Sequence, residues 1–182
     1  MPYSISTPIV PYQKQPVEFQ EYDPLSPEVA QYVIHVIQMY IPNVTVEHIG
    51  STAGPGCSGR AVIDLMILYS HESIEPILAG LDALGFQWVQ RINALPDEWP
   101  KGAGAVHYQD CLFRLHIHVQ PADHSSVVEK RVFRDRLRSD PELLIAYMAR
   151  KQAILATGTV DPIDYTAAKA RFVLQALEPS AR

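Results

Sequence analysis

The run Ala61-Val62-Ile63-Asp64-Leu65-Met66-Ile67-Leu68-Tyr69 is nearly all apolar. At this length, after a glycine-rich stretch, it predicts a strand buried on both faces, because only a central strand covered on each side can hide so many apolar side chains. That strand commits the chain to a sheet with helices packed on it. It also isolates Asp64, the one charged residue in the run. A buried carboxylate is costly unless it is paired, hydrogen-bonded or bound to metal.

The flanking pattern supplies the other elements. Ser26 can serve as N-cap and Pro27 fits the first helical position. Val29, Tyr32, Val33, Val36, Ile37 and Tyr40 recur at helical spacing up to Pro42. Alternation over Val44–Ile49 predicts a strand. Ser73–Leu84 reads as a helix stopped by Gly85, and Phe86–Val89 as a strand. Asn93–Gly104 reads as a polar loop, and Val106–Tyr108 and Leu112–Val119 as strands of a hairpin about Asp110. The C-terminal third is helical, with apolar stripes over Val127–Leu137, Pro141–Ala156 and Tyr165–Leu177. The fold class is α/β, in the α+β sense, with a sheet of about five strands packed by helices.

Six prolines in the first 27 residues favour extended, irregular backbone. Residues 1–16 are expected to be an extended proline-rich arm, with Val17-Glu18-Phe19 a short edge strand, and residues 17–178 one domain. A length of 182 residues suits a single domain. The net charge of −5 disfavours nucleic acid or anionic membrane as a partner, while leaving room for a local basic pocket. Cys57 and Cys111 form no CxxC pair, which fits a reducing compartment and no cysteine zinc site. The start, Met1 to Pro8, lacks the basic and apolar regions of a signal peptide, and no run reaches the ~18 apolar residues of a membrane span. The expected location is cytoplasmic.

Polar groups interrupt the apolar strands in two places. The first is Gly50-Ser51-Thr52-Ala53-Gly54-Pro55-Gly56 with Asp64 downstream. A glycine turn lets backbone N–H groups approach an anion, and Ser51 and Thr52 add hydroxyls. The plainer alternative is an ordinary turn, with Asp64 accepting from nearby amides. The motif is neither a P-loop nor a dinucleotide fingerprint. The second place is Leu115-His116-Ile117-His118-Val119, where His116 and His118 share one strand face. Two such imidazoles can chelate a metal, contact a phosphate, or simply decorate an exposed face. Glu47, His107 and His124 are further polar candidates. Arg150, Lys151 and Arg171, and the helix face from Lys130 to Arg138, read as solvated charge. Tyr165 and Lys169 lie four apart on one helix face, a core rim or a pocket rim.

The string Val46-Glu47-His48-Ile49-Gly50-Ser51-Thr52-Ala53-Gly54-Pro55-Gly56, followed by Val62-Ile63-Asp64-Leu65-Met66, resembles the GrpB family. Tyr22-Asp23-Pro24, Leu115–Val119, Phe133–Arg138, Pro141-Glu142-Leu143 and Tyr165–Lys169 agree in the same order, so the resemblance spans about residues 17–177. It implies a nucleotidyltransferase-superfamily fold with a small mixed sheet. In that superfamily a Gly-Ser turn holds a nucleotide triphosphate and acids on the next strand bind divalent metal. Gly50 and Ser51 match the turn and Asp64 the first acid. The second acid is replaced by Met66, and the family's Lys-Pro by Arg60-Ala61.

The reading that follows is metal-dependent transfer of a nucleotidyl group from an NTP to an unknown acceptor. Asp64, His116 and His118 would be catalytic and hold a divalent ion (Mn, Zn or Mg). Gly50, Ser51, Thr52, Arg60 and Lys169 would bind the nucleotide or another phosphorylated small molecule. The alternatives are a non-catalytic nucleotide- or phosphate-binding module, which Met66 favours, and a metal-dependent phosphoester hydrolase.

Overall fold

The computed structural model describes residues 8–70, 74–88 and 99–178. Met1–Thr7, the expected helix residue Ser73, the strand residue Val89 and the loop residues 93–98 lie outside them. Six strands and five helices occur among the described residues: β1 Ile9–Val10, α1 Ser26–Tyr40, β2 Thr45–Ile49, β3 Val62–Tyr69, α2 Glu75–Leu84, β4 Gln87–Trp88, β5 Lys101–Tyr108, β6 Cys111–Pro121, α3 Ser125–Ser139, α4 Pro141–Ala156 and α5 Pro162–Leu177. The strand order is β1-β5-β6-β3-β2, and β4 shares the outer edge of β5 with β1. Among the described residues only β3 and β6 run parallel, so the sheet is mixed.

The apolar run is the central strand β3. Ile63, Leu65 and Ile67 join Leu115, Ile117 and Val119 of β6 under α1 and α2, whose Val29, Val33, Ile37, Ile77, Leu81 and Leu84 complete the main core. Met66 and Leu68 face the other way and pack with Ile49 against Val127 of α3. The C-terminal helices close on one another through Phe133, Leu137, Tyr147 and Ala176, with Cys57 of the glycine-rich loop among them. That loop is thus clamped between the sheet and the helical third.

Local signals account for the boundaries. Asp140 accepts from the Leu143 N–H at 2.9 Å and caps α4 ahead of Pro141. Gly85 ends α2 with φ +99°, the left-handed stop expected of it. Gln109 and Asp110, both at positive φ, form the two-residue turn between β5 and β6. Ser26 is the first residue of α1 and is buried, with no side-chain cap bond. Asp23 closes that turn instead, accepting from the Leu25 N–H at 2.8 Å.

Three further features depart from expectation. β5 starts at Lys101, inside the expected loop. A Cβ on Gly102 would lie 2.7 Å from Ile117, and one on Gly104 would lie 2.5 Å from Ile9. These glycines are strand positions under close packing, which composition alone reads as loop. In the N-terminal arm, Ile9 and Val10 pair with Val106 and Ala105 as β1. Val17–Phe19 forms no ladder. The Val17 N–H bonds the Val160 carbonyl at 2.8 Å, and its side chain packs with Ile154 and Tyr165. No helix among the described residues is long and apolar enough to cross a membrane.

Candidate functional site

Asp64 sits where β2 hands over to the glycine loop, because Ile49 is its partner in the β2–β3 register. Gly50 follows with φ +71°, and a Cβ there would lie 2.6 Å from Asp64 Oδ2. Glycine is required on both counts. The other carboxylate oxygen, Oδ1, lies 3.5 Å from His116 Nδ1 and 3.6 Å from His118 Nε2. The parallel register produces this meeting, pairing Asp64 with His116 and Met66 with His118. All three side chains are partly open, Asp64 and His116 at 24% and His118 at 18%. Burial opposes charge on Asp64. The two imidazoles beside it outweigh that penalty and hold the carboxyl well below the usual carboxylate range. Burial pushes His118 down, and Asp64 only partly counters it.

Asp64 also lines a cleft of about 30 Å³, together with Ser51, Arg60, Val62, Lys151, Tyr165 and Lys169. Lys169 Nζ stands 4.9 Å, and the Arg60 guanidinium carbon 5.8 Å, from the centre of the Tyr165 ring. Burial first, and Arg60 second, lower Lys169 to about 8. Burial raises Tyr165 to about 12, and its buried hydroxyl has no hydrogen-bond partner among the described residues.

Lys151 is the residue that sequence reasoning missed. Expected on a solvated face, it is 2% exposed. Its ammonium donates to Cys57 Sγ at 3.3 Å and to the Ser58 carbonyl, and stands 4.5 Å from the Tyr147 ring centre. A Cβ on Gly59 would lie 2.7 Å from Nζ, so a glycine in the loop admits the lysine. The α3 arginines are likewise not simple solvated charge. Arg131 and Arg134 bind Glu47, Arg138 donates to the Ala53 carbonyl at 2.8 Å, and Arg136 donates to the Ala176 carbonyl at 2.6 Å. Arg150 donates to the Ala168 carbonyl at 3.1 Å, and Arg171 is exposed.

Thr52 does not line the cleft. It is buried, donates to the Val62 carbonyl at 3.2 Å, and meets His48 Nε2 at 3.0 Å. Burial lowers His48 to about 4, so it is a neutral internal prop. The signal for it was available, since His48 interrupts the Val46 face of β2 as Asp64 interrupts β3. His107 is exposed, and His124 caps α3 by accepting from the Ser126 N–H at 3.3 Å.

The donor set does not match a resident metal ion. Met66, two residues past Asp64, is 0% exposed and packs against Val127. The two imidazoles converge on one carboxylate oxygen, and among the described residues the buried His118 Nδ1 has no second partner of the kind that orients a ligating ring. Among the described residues no group of three His, Cys, Asp or Glu is arranged to hold an ion.

Comparison with known proteins follows the same outline. The model of the GrpB protein family matches residues 16–179. A UPF0157 protein of Pseudomonas aeruginosa is 30% identical over 145 residues, covering 75% of this chain. The chain spans about half that relative's length, 55%. The crystal structure of the conserved protein GrpB from Enterococcus faecalis superposes with a TM-score of 0.67 at 22% identity, over 88% of this chain and 94% of that one. The GLD-2/RNP-8 complex superposes with a TM-score of 0.54 at 11% identity, over 86% of this chain and 59% of that one. At such identities the likeness establishes the fold, which is nucleotidyltransferase-like.

Proposed function

The chain belongs to the GrpB family, and on that premise we propose that it binds the phosphate group of a nucleotide or another phosphorylated small molecule. One observation carries the reading. Arg60, Lys151 and Lys169 crowd into one cleft against a single carboxylate, Asp64. Like charges held together are unfavourable until an anion enters, and the lowered Lys169 records that strain, through burial and then through Arg60. Arg60 offers a planar fork of donors to phosphate oxygens, and Lys169 a point charge. Ser51 adds a hydroxyl beside them. The cleft is about the volume of one water molecule, so a phosphate would reach into it with an oxygen while the rest of the ligand lies outside.

Calorimetric titration with inorganic phosphate and with ATP, GTP and UTP tests this reading. Saturable binding is expected, weakened about tenfold or more by Arg60→Ala and by Lys169→Ala. Wild-type protein that binds none of the four overturns it.

A separate observation favours a second reading, nucleotidyl transfer. Two imidazoles face the acid that lines the phosphate cleft. His116 Nδ1 lies toward Asp64, which leaves Nε2 to take the proton of an acceptor hydroxyl or amine. The acceptor atom would bond the α-phosphorus of an NTP, and the bond from that phosphorus to pyrophosphate would break. Asp64 would hold the imidazole and stabilise its charged form, a role needing no second acid where Met66 stands. Incubation with α-labelled NTPs and candidate acceptors checks the reading. Label moving to an acceptor, and lost in His116→Ala, supports transfer. Phosphate binding without labelled product supports the module alone.

A further inference from the structure

A second cavity lies on the same sheet face as Asp64 and His116. It is a groove of about 640 Å³ between the N-terminal segment and the β5–β6 hairpin, within the ~300–1,000 Å³ typical of small-ligand sites. The strand register fixes its place. His116 pairs with Asp64 on one side and Ala103 on the other. Two residues along, Arg114 pairs with Val62 and with Ala105. Residues two apart share a face, so Arg114 and Ala105, which line the groove, lie about 7 Å beyond His116 on its own side. Tyr12 bridges the interval. Its ring centre is 5.5 Å from that of His116, and its neighbours Pro11 and Gln13 line the groove.

The lining indicates the chemistry of an occupant. Gln13, Gln15 and Gln20 present amides, each able to donate and accept, as hydroxyl groups require. Glu21 and Asp23 set two carboxylates against one guanidinium, Arg114. Arg114 already donates through Nη2 to the Arg60 carbonyl, and one Asp23 oxygen accepts from Leu25. Ala61 and Ala105 add small side chains to the lining. An excess of acid repels a phosphodiester strand and attracts an ammonium group.

We propose that this groove binds a small polyhydroxylated amine, placed so that one of its hydroxyl or amino groups extends toward His116. The site stands independently of phosphate binding, because it shares none of the residues lining the cleft. If the cleft also transfers a nucleotidyl group, the groove is where the acceptor lies. An RNA strand is the wrong occupant on charge.

Cys111 supplies the test. It is exposed and lines the groove, while Cys57, the other of the chain's two cysteines, is buried. The rate of maleimide labelling of the full native chain therefore reports groove occupancy. Glucosamine is the probe, with glucose and the hexanucleotide U6 as controls. Glucosamine is expected to slow labelling saturably, glucose more weakly, and U6 not at all. Glu21→Lys, a change at an exposed residue, is expected to weaken protection about tenfold with an unchanged circular dichroism spectrum. Labelling unaffected by glucosamine up to its solubility limit overturns the inference. So does protection by U6, or protection by glucosamine that persists unchanged in Glu21→Lys. None of these results depends on whether phosphate binds the cleft.

Discussion

Strand β3 offers a comparison with the backbone held constant, because its two faces do different things. On one face Ile63, Leu65 and Ile67, each at most 1% exposed, lie beneath α1 and α2. The other face is closed only toward its far end, where Met66 and Leu68 meet Val127 of α3. Toward its beginning it opens at Asp64, with His116 and His118 beside it. Apolar packing and clustered polar groups are thus divided across the thickness of one strand. The closed face can hold Asp64 in a costly place because its own packing does not depend on that residue.

The largest test of the division is Leu65→Ala. The residue is 0% exposed within the main core, so truncation leaves a cavity and costs about 2–5 kcal/mol, read by urea unfolding. Asp64→Asn keeps the side-chain volume and opens no cavity, losing only the charge that His116 and His118 favour, so it is expected to destabilise less than Leu65→Ala while altering ligand binding at the cleft. Equal destabilisation by the two would mean that the open face is as structural as the closed one.

A smaller effect sharpens the comparison by setting stability and binding in opposition. Burial and then Arg60 lower Lys169 from 10.5 to about 8. Asp64 and Cys57 oppose the shift, and Lys151 adds to it. Between those two values the unfolded chain carries more protons than the folded one, so this group makes the fold more stable as pH rises across the window. Phosphate affinity must go the other way and fall as pH passes about 8, because the lysine loses the charge that attracts the ligand. Paired titrations of Tm and phosphate affinity in wild type and Lys169→Met isolate the contribution. An affinity with the same pH profile in both proteins would remove Lys169 from the site.

The open face was legible in the sequence as far as strand periodicity reaches. An acid inside an apolar run, and two histidines two residues apart, each announced a shared face, and parallel pairing brought the two together. The glycine after β2 was legible for the same reason, though the clash it avoids, with Asp64 itself, was not. What stayed hidden depended on contacts between distant segments. Lys151 reads as solvated because α4 shows only its own helical pattern, and nothing in that pattern reveals that Gly59 makes room for the ammonium. Thr52 reads as a phosphate donor until His48 and the Val62 carbonyl are seen to engage its hydroxyl. β5 begins early because Gly102 and Gly104 answer the bulk of Ile117 and Ile9, a fact about neighbours and not about the glycines' own propensity.

The smallest effect is the most discriminating. Tyr165 is fully buried, its ring stands beside Arg60 and Lys169, and its hydroxyl has no partner among the described residues. A buried polar group without a partner destabilises by about 1–3 kcal/mol, whereas the ring contributes packing that phenylalanine retains. Tyr165→Phe should therefore leave the melting temperature of the unliganded protein unchanged or raise it by a few degrees. A drop would mean that the hydroxyl is bonded in the folded state and belongs with the structural face of the molecule. A rise in stability together with weaker phosphate binding would place it with the open face, as a group kept unsatisfied at some cost to the fold.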